Sequence, residues 1–320
     1  MLALSQNSRS QVINDTLAED FRTKAAKNFS RYRTVNFSWE VKTNHDYTLS
    51  IGDRDVEKGR KKNLHAIHFS TMVPLLKEPK LSLYANISYD SYNFDRQGNE
   101  SSAIFNDIAY DYYAGGLTGS YYLSLWKHPL VITADVIADG WKHGWGRLQG
   151  RMSAVMVVSN TGNTMFSAGL MGMTLFNSVP VMPVIAYWHQ FGNPNLSIDI
   201  TLPSQFYLRY QMNSQRLSAG AAMSVENFYL NSGLEGVPST CFYSDAVMKP
   251  EIVYEYIINR HFYLSARAGM SMVLKGGLYT KNRKDIRIKD GSGADVDATI
   301  KQDRTPIPFF NIGVSYCLFK

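Results

Sequence analysis

The chain has 320 residues, and its 33 Lys and Arg outnumber its 27 Asp and Glu to give a formal net charge of +6. Aromatic residues make up 13% of the chain and charged residues only 19%, a composition typical of strands and membrane interfaces. The basic residues are not gathered on helical faces, which argues against a nucleic-acid-binding protein. Cys241 and Cys317 are the two cysteines, too few for a disulfide scaffold or a cysteine zinc site.

The sequence divides into two predicted units, residues 1–30 and residues 31–320. The first unit is polar, and its apolar residues have weak helical spacing, at Ile13, Leu17, Phe21 and Ala25. Two interpretations are open for it: a periplasmic tail, or a short plug that folds into the interior of the second unit. The second unit has no apolar run near the 18 or so residues of a membrane helix, so any membrane crossing must use strands.

Period-two alternation of apolar and polar residues recurs along the second unit and predicts β-strands. In the first strand, Val35, Phe37 and Trp39 point to one face, and the polar residues between them point to the other. The alternation predicts 14 strands, with 12 as the fallback because the second, seventh and eighth alternate weakly. They are Thr34–Lys42, Asn63–Met72, Lys80–Tyr92, Tyr113–Trp126, Leu130–Asp139, Leu148–Val158, Thr164–Leu175, Val181–Gln190, Asn195–Leu202, Gln205–Met212, Arg216–Val225, Glu251–Ile258, Phe262–Val273 and Pro308–Lys320.

The predicted connections also follow a pattern. All connections after even-numbered strands are short, and every long one follows an odd-numbered strand, as in outer-membrane barrels with short periplasmic turns and long external loops. A soluble all-β sandwich or barrel would explain the alternation but not this rhythm of loops. We therefore predict an all-β fold, a transmembrane antiparallel up-and-down β-barrel of the bacterial outer membrane. Its last strand, Pro308–Lys320, should pair with its first, Thr34–Lys42.

Alternation also assigns side chains to the interior of the predicted barrel. Side chains of the wall can fill the interior of a barrel of up to about eight strands. A barrel of 14 strands should therefore have an interior that is open or plugged. The mixed charges on the inward faces allow two interpretations: a structural network of ion pairs, or a polar pathway that selects solutes by charge. The charged residues expected to line the lumen are Glu40, Lys42, Asp90, Asp135, Arg151, Asp199, Arg209, Glu251, Glu255 and Arg267.

The sequence contains no motif for catalysis or metal binding. Both G-x-S-x-G and H-E-x-x-H are absent, and no histidine has a defensible inward serine beside it. We therefore predict no catalytic residues, no metal site, no cofactor and no enzymatic activity. The histidines considered are His45, His65, His68, His128, His143, His189 and His261.

The last long connection, residues 274–307, is polar and basic. As an external loop it would either be solvated or contact the phosphates of lipopolysaccharide. Its basic residues are Lys275, Lys281, Arg283, Lys284, Arg287, Lys289, Lys301 and Arg304. The expected partners are outer-membrane lipid, lipopolysaccharide and a small-molecule solute, with the protein monomeric. Cys241 is placed in an external loop and Cys317 near the periplasmic end, too far apart for a disulfide.

Three stretches suggest a known family: D-Y-T-L-S-I-G-D at residues 46–53, the predicted strand Lys80–Tyr92, and the terminal strand. Through them, most of the chain resembles Bacteroides-type outer-membrane β-barrel proteins, a family with no assigned chemistry. The resemblance implies a Gram-negative source and no mechanism. In strand count and N-terminal segment the chain is also similar to fatty-acid transporter barrels, which have 14 strands and an N-terminal hatch, although no hatch motif matches. That similarity would imply a hydrophobic substrate.

Three functional hypotheses follow from these patterns. The first is an outer-membrane channel or transporter for small solutes through a polar, charged lumen. The second is a non-conducting structural or surface-interaction barrel whose lumen is closed by ion pairs. The third is an outer-membrane enzyme that modifies lipid, which would need an inward histidine. The width of the interior and the conductance of the reconstituted protein separate the first two.

Overall fold

A computed structural model describes residues 33–52, 54–97, 102, 104–174, 180–259, 261–289, 295–302 and 305–318. The predicted N-terminal tail or plug, residues 1–30, lies outside the described residues. No helix in these ranges is long and apolar enough to span a membrane.

The described chain forms a closed antiparallel barrel of 14 strands, built from 17 strand segments. Two barrel strands are each made of two segments: β1 and β2 follow one another along one strand, and β16 and β17 along the last. The short β15 pairs with β16 in the connection before it. The segments are β1 Val35–Lys42, β2 His45–Ile51, β3 Arg54–Lys77, β4 Leu81–Gln97, β5 Ala109–Leu125, β6 His128–Trp141, β7 Gly144–Asn160, β8 Thr164–Met173, β9 Val181–Gln190, β10 Leu196–Leu202, β11 Gln205–Met212, β12 Gln215–Asn231, β13 Thr240–Ile257, β14 Phe262–Thr280, β15 Arg287–Lys289, β16 Asp295–Gln302 and β17 Ile307–Tyr316.

The barrel closes where the sequence predicts. β17 pairs with β1 in an antiparallel register that runs from Val35 opposite Tyr316 to Lys42 opposite Phe309. Along β17 the apolar residues at alternate positions, such as Phe310 and Ile312, are 45% and 44% exposed on the outer surface. The polar residues between them are buried inside. The predicted pairing of the first and last strands and the predicted faces of the last strand are confirmed.

Several strands are longer than predicted, and most of the added length is at the end opposite residues 33 and 318, which we call the external end. β3 covers Arg54–Lys77 rather than Asn63–Met72, and β13 covers Thr240–Ile257 rather than Glu251–Ile258. Much of what was predicted as external loop is therefore strand. Beyond the bilayer a strand no longer needs an apolar outer face, so the alternation on which the prediction depends is lost.

The outer surface of the barrel carries an apolar band with aromatic residues at both ends. Tyr89 stacks on Tyr113 toward the external end, and Phe262 contacts Tyr316 at the other. Beyond the external aromatic pair the outer face becomes charged, as in the exposed ion pair of Arg60 and Asp46 at 3.2 Å. A closed barrel is one of two structures that can satisfy every backbone group in lipid. The barrel and its band indicate an outer-membrane protein.

The wall is tall on one side and short on the other. β12, β13 and β14 have 17 to 19 residues, whereas β10 and β11 have 7 and 8. At the external end β12 leans across the barrel until its Cα atoms come within 8 Å of those of β4, β5 and β6. The tall strands thereby enclose a hydrophobic core of their own, which we call the external lobe. It contains Tyr47, Leu49, Phe94, Phe105, Tyr110, Phe228, Leu230, Tyr243 and Ile286.

Candidate functional site: the barrel interior

Four charged side chains from β1, β12 and β13 meet inside the barrel at mid-height. Lys249 donates to both carboxylate oxygens of Glu40, at 2.9 and 3.0 Å, and lies 3.2 Å from Glu226. Lys42 forms an ion pair with Glu226 and lies 3.7 Å from Glu40. Because β1 and β12 are not neighbours in the sheet, these contacts cross the interior. Glu40 and Lys42 are buried and Lys249 and Glu226 are mostly buried, so each charge is compensated by the others.

A second group of ion pairs fills the same side nearer the chain termini. Glu255 accepts from Arg33 at 2.6 Å and from Arg216 at 2.7 Å through its Nε. The guanidinium of Arg33 also lies over the ring of Tyr263, 3.8 Å from its centroid. The chain therefore enters the described structure inside the barrel mouth, fixed there by a buried ion pair.

Two further pairs extend this group around the wall. Arg209 of β11 lies 3.2 Å from Asp199 of β10, and Arg267 of β14 lies 3.5 Å from Glu251. The hydroxyl of Tyr207 also donates to Glu251. Together with the mid-height network, these contacts fill the interior next to β1 and β10–β14 with paired charges.

The opposite wall has a different character. Asp135 of β6 is buried and accepts from Nε of Arg151 at 2.5 Å and from the hydroxyl of Thr118. Arg151, on β7, keeps 49% of its side chain exposed although it points inward. An inward side chain in a closed barrel can be exposed only to space within that barrel. The side formed by β5–β9 is therefore less filled than the side formed by β10–β14.

Inward positions of β7, β8 and β9 form an apolar surface beside Arg151. In the register of the three strands, Ser153 lies opposite Met171 and Met171 opposite Met182, while Arg151 lies opposite Met173. These methionines are half-buried and belong to none of the packed core clusters of the described residues. The interior thus has a charged, filled side and a partly open side with apolar patches.

The remaining predicted lumen residue, Asp90, is bound to a histidine. Nδ1 of His68 lies 2.6 Å from Oδ1 of Asp90, and both side chains are half-buried. A carboxylate in this position orients the imidazole, but a catalytic site would also need a nucleophile or a bound water aligned with the ring. The described residues contain no cluster of three or more His, Cys, Asp or Glu suited to a metal ion.

Above the open side, a buried polar cluster attaches the external lobe to β6 and β7. Asp139 accepts from Tyr229 at 2.8 Å, from Tyr112 at 3.1 Å and from the backbone nitrogen of Arg147 at 2.6 Å. Arg283 forms an ion pair with the same carboxylate. Arg283, expected in this basic connection either to be solvated or to contact lipopolysaccharide, does neither, because Asp139 holds its guanidinium in the protein interior.

Within the external lobe, Lys61 is surrounded by aromatic rings. Its Nζ lies 4.7 Å from the ring centroid of Phe105 and 4.8 Å from that of Tyr243. Burial lowers the pKa of Lys61 to about 8, and the carboxylates of Asp245 and Glu226 offset part of that shift. Lys61 is at the level of the exposed outer ion pair of Arg60, outside the bilayer. It helps to fill the lobe rather than to line a passage.

The structure brings most of the predicted lumen residues into ion pairs. Two functions remain open for them: bracing the barrel and lining a polar pathway for solutes. Glu40 and Lys42 share one network, Asp135 pairs with Arg151, Asp199 with Arg209, and Glu251 with Arg267. Whether these residues line a conducting path stays a prediction. The partners that sequence reasoning missed are Arg33, Lys61, Asp139, Arg216, Glu226, Asp245, Lys249 and Arg283.

The two cysteines are both buried, and neither forms a disulfide. Cys241 was predicted to lie in an external loop, but it lies in β13, within the core of the external lobe. Cys317 follows β17 at the other end of the barrel and packs near Tyr263.

No protein-family model matches the chain, and no curated protein matches it either. The COG4313 outer membrane channel of Pseudomonas putida F1 is 12% identical over 89% of this chain and 96% of that one, with a TM-score of 0.37. OccK9 (OpdG) of Pseudomonas aeruginosa is 9% identical over 90% and 98%, with a TM-score of 0.28. The outer membrane protease OmpT of Escherichia coli is 11% identical over 88% and 96%, with a TM-score of 0.27. At these scores none of the three bears on function, which has to be inferred from the geometry of the interior.

Proposed function

We propose that the protein is a channel or transporter for small solutes in a Gram-negative outer membrane, with its pathway along the β5–β9 side of the interior. The observation that carries the proposal is the half-exposed Arg151, which points into the barrel yet is 49% accessible. Fourteen strands enclose more space than wall side chains can fill. On the β10–β14 side that space is taken up by ion pairs, so the passage is proposed for the side where they are fewer.

In this proposal the predicted lumen residues divide into two roles. Arg151 faces the passing solute and gives the pathway its main charge. Glu40, Lys42, Glu255 and their partners brace the filled side, since charges held in buried networks cannot also exchange contacts with a moving solute at low cost.

A non-conducting structural or surface-interaction barrel is the second candidate. The specific observation in its favour is the aromatic core of the external lobe, in which Phe105 and Leu230 are fully buried. That core closes the external end above the tall strands. The channel is preferred because Arg151, on the β5–β9 side, keeps 49% of its side chain accessible inside the barrel.

Conductance in planar bilayers tests the channel. We expect the full chain to conduct, and Ser153→Trp, which adds an indole to the proposed passage beside Arg151, to lower the single-channel conductance by about half or more. The matched control is Leu170→Trp, because Leu170 is on the outer face of the adjacent β8 and is exposed there. It should conduct as the unchanged protein does.

Two results would count against the channel. An absence of conductance, both in the full chain and after removal of residues 1–30, would favour the non-conducting barrel. Equal conductance of Ser153→Trp and Leu170→Trp would mean that any passage runs elsewhere in the barrel.

Other expectations from the sequence remain predictions. The side chains of Lys281, Lys284 and Arg287 are exposed near the external end, which supports contact with lipopolysaccharide phosphates. The monomeric state, the Bacteroides-type family and the absence of enzymatic activity are likewise predictions. The His68–Asp90 pair is where lipid-modifying activity would be sought.

A further inference from the structure

The inward face of β7–β9 is an unusual lining for a barrel. Its apolar side chains include Val155, Met165, Met171, Met173, Met182 and Val184, and we call this surface the methionine wall. The interior of an outer-membrane barrel is usually polar because it contacts water. An apolar surface in contact with water lacks the favourable free energy that burial would give it. Contiguous apolar patches therefore mark contact with an apolar partner.

The methionine wall is continuous across three strands. Met171 lies opposite Met182, and one step along the strands Val155 and Val184 lie on either side of Gly169. A Cβ on Gly169 would lie 2.1 Å from the carbonyl oxygen of Ala154, so β7 and β8 approach each other closely at this point. Methionine side chains are flexible and polarisable, so they adapt to apolar bodies of different shapes. The wall therefore suits an apolar solute without selecting one particular outline.

Arg151 places a positive charge at one edge of the methionine wall. Arg151 lies directly opposite Met173 in the register, and its described contact with Asp135 is made through Nε. A guanidinium has five N–H donors and binds a carboxylate through two of them at once. Its half-exposed side chain thus leaves it able to bind a carboxylate arriving from the passage while Asp135 holds it in place.

We infer that the pathway recognises small solutes that combine an apolar body with one carboxylate, the body lying on the methionine wall and the carboxylate on Arg151. The inference rests on the proposed function and deepens it by naming the substrate class. On the side opposite the methionine wall, the described charges are already paired with one another. None of the cations described there is as exposed as Arg151, so none competes with it for the carboxylate of the solute.

The test uses a set of three probes: hexanoate, acetate and 1-hexanol. Acetate keeps the carboxylate and lacks the apolar body, whereas 1-hexanol keeps the body and lacks the charge. We expect hexanoate to interrupt the ion current of the full chain at concentrations about tenfold lower than either of the others. 1-Hexanol lacks the charge-assisted contact with Arg151, and acetate lacks most of the apolar contact with the methionine wall. Saturation-transfer NMR on the full chain in lipid nanodiscs measures hexanoate binding independently of conduction, with empty nanodiscs to correct for partition into lipid.

Three variants assign the binding to residues. Met171→Gln/Met182→Gln should weaken hexanoate binding about tenfold and leave acetate unchanged. Arg151→Gln should bring hexanoate down to the level of 1-hexanol. Because that variant leaves Asp135 without its cation and risks misfolding, Arg151→Lys is the second variant, and it should retain binding within about threefold. Leu170→Ala, on the outer face of β8, is the matched control and should bind as the unchanged protein does.

The two readouts distinguish failure of this inference from failure of the channel. Conduction without a preference for hexanoate would overturn the inference and leave the channel standing. Hexanoate binding without conduction would support the site and overturn the channel. Loss of both would overturn both. Binding that appears only after removal of residues 1–30 would mean that this segment, which joins the described chain at the buried Arg33, covers the wall in the native protein, and would also overturn the inference.

Discussion

At Gly220 the close approach of the neighbouring strand, rather than the alternation along its own strand, requires a glycine. A Cβ at this position in β12 would lie 2.0 Å from the carbonyl oxygen of Phe206 and 2.8 Å from Cα of Tyr207. Both atoms belong to the backbone of β11 and cannot move without opening the β11–β12 pairing. The sequence alone shows a glycine at an inward position, and it cannot show how closely the next strand approaches.

Gly220→Ala should therefore destabilise the barrel by about 2 kcal/mol or more, because backbone clashes of this kind are not relieved by side-chain rotation. Urea unfolding in detergent micelles, followed by tryptophan fluorescence, would measure the change. The control is Gly119→Ala in β5, where an added Cβ meets no atom within 4 Å. Equal stability of the two variants would mean that the strands separate readily at Gly220.

The sequence predicts a charged residue of the interior only where it also predicts the strand that carries that residue. Glu226 and Lys249, which complete the mid-height network, lie just outside the predicted strands Arg216–Val225 and Glu251–Ile258. Their partners Glu40 and Lys42 were found because the alternation of β1 is strict. Pairing across the barrel depends on which strands face each other, and no local pattern in a sequence contains that information.

At the scale of the element, alternation predicts a strand where one face contacts lipid and fails where both faces are covered. β10 was predicted nearly to the residue, at Asn195–Leu202 against Leu196–Leu202. The external half of β13 was missed, because the five consecutive residues from Cys241 to Asp245 are all buried. There the strand packs on the external lobe with one face and on the Asp139 cluster with the other, so period-two alternation is absent.

The external half of β3 provides a pH-dependent test of the lobe. Lys61 has a pKa of about 8 in the folded protein, against an ordinary value of 10.5. Between these two pH values the unfolded chain binds a proton that the folded chain has released, so the free energy of unfolding should rise with pH across this window. At about 1.4 kcal/mol for each pKa unit, the rise is at most about 3.5 kcal/mol. The charged groups facing Lys61 are Asp245, Glu226 and Lys42.

Lys61→Met should abolish this rise, as measured by urea unfolding at pH 8, 9 and 10. Lys58→Met is the control on the same strand, since Lys58 is exposed and its ion pair with Asp55 at 3.0 Å is at the surface. It should keep the slope of the unchanged protein. If Lys61→Met also kept it, another group would be responsible for the titration.

At the scale of the whole molecule, the two sides of the barrel differ in what fills them. The tall strands enclose the external lobe, the paired charges lie below it, and the β5–β9 side retains accessible inward side chains. This division predicts that stability and conduction depend on different residues. Ser153 is expected to affect conduction, and a core residue of the lobe should affect stability without changing the passage.

Phe105 is the core residue best placed to test this division. It is fully buried, and its ring lies 4.9 Å from that of Tyr47, 5.4 Å from that of Phe94 and 6.0 Å from that of Tyr243. Phe105→Ala should cost about 3 to 5 kcal/mol of unfolding free energy through lost burial and the cavity left behind. Ile108→Ala, at an exposed position in the same connection, is the control and should change stability by less than about 0.5 kcal/mol. Neither variant should change the single-channel conductance. An increase in conductance for Phe105→Ala alone would show that the external lobe lies in the solute's path and acts as its barrier, which would relocate the passage from the methionine wall to the tall side of the barrel.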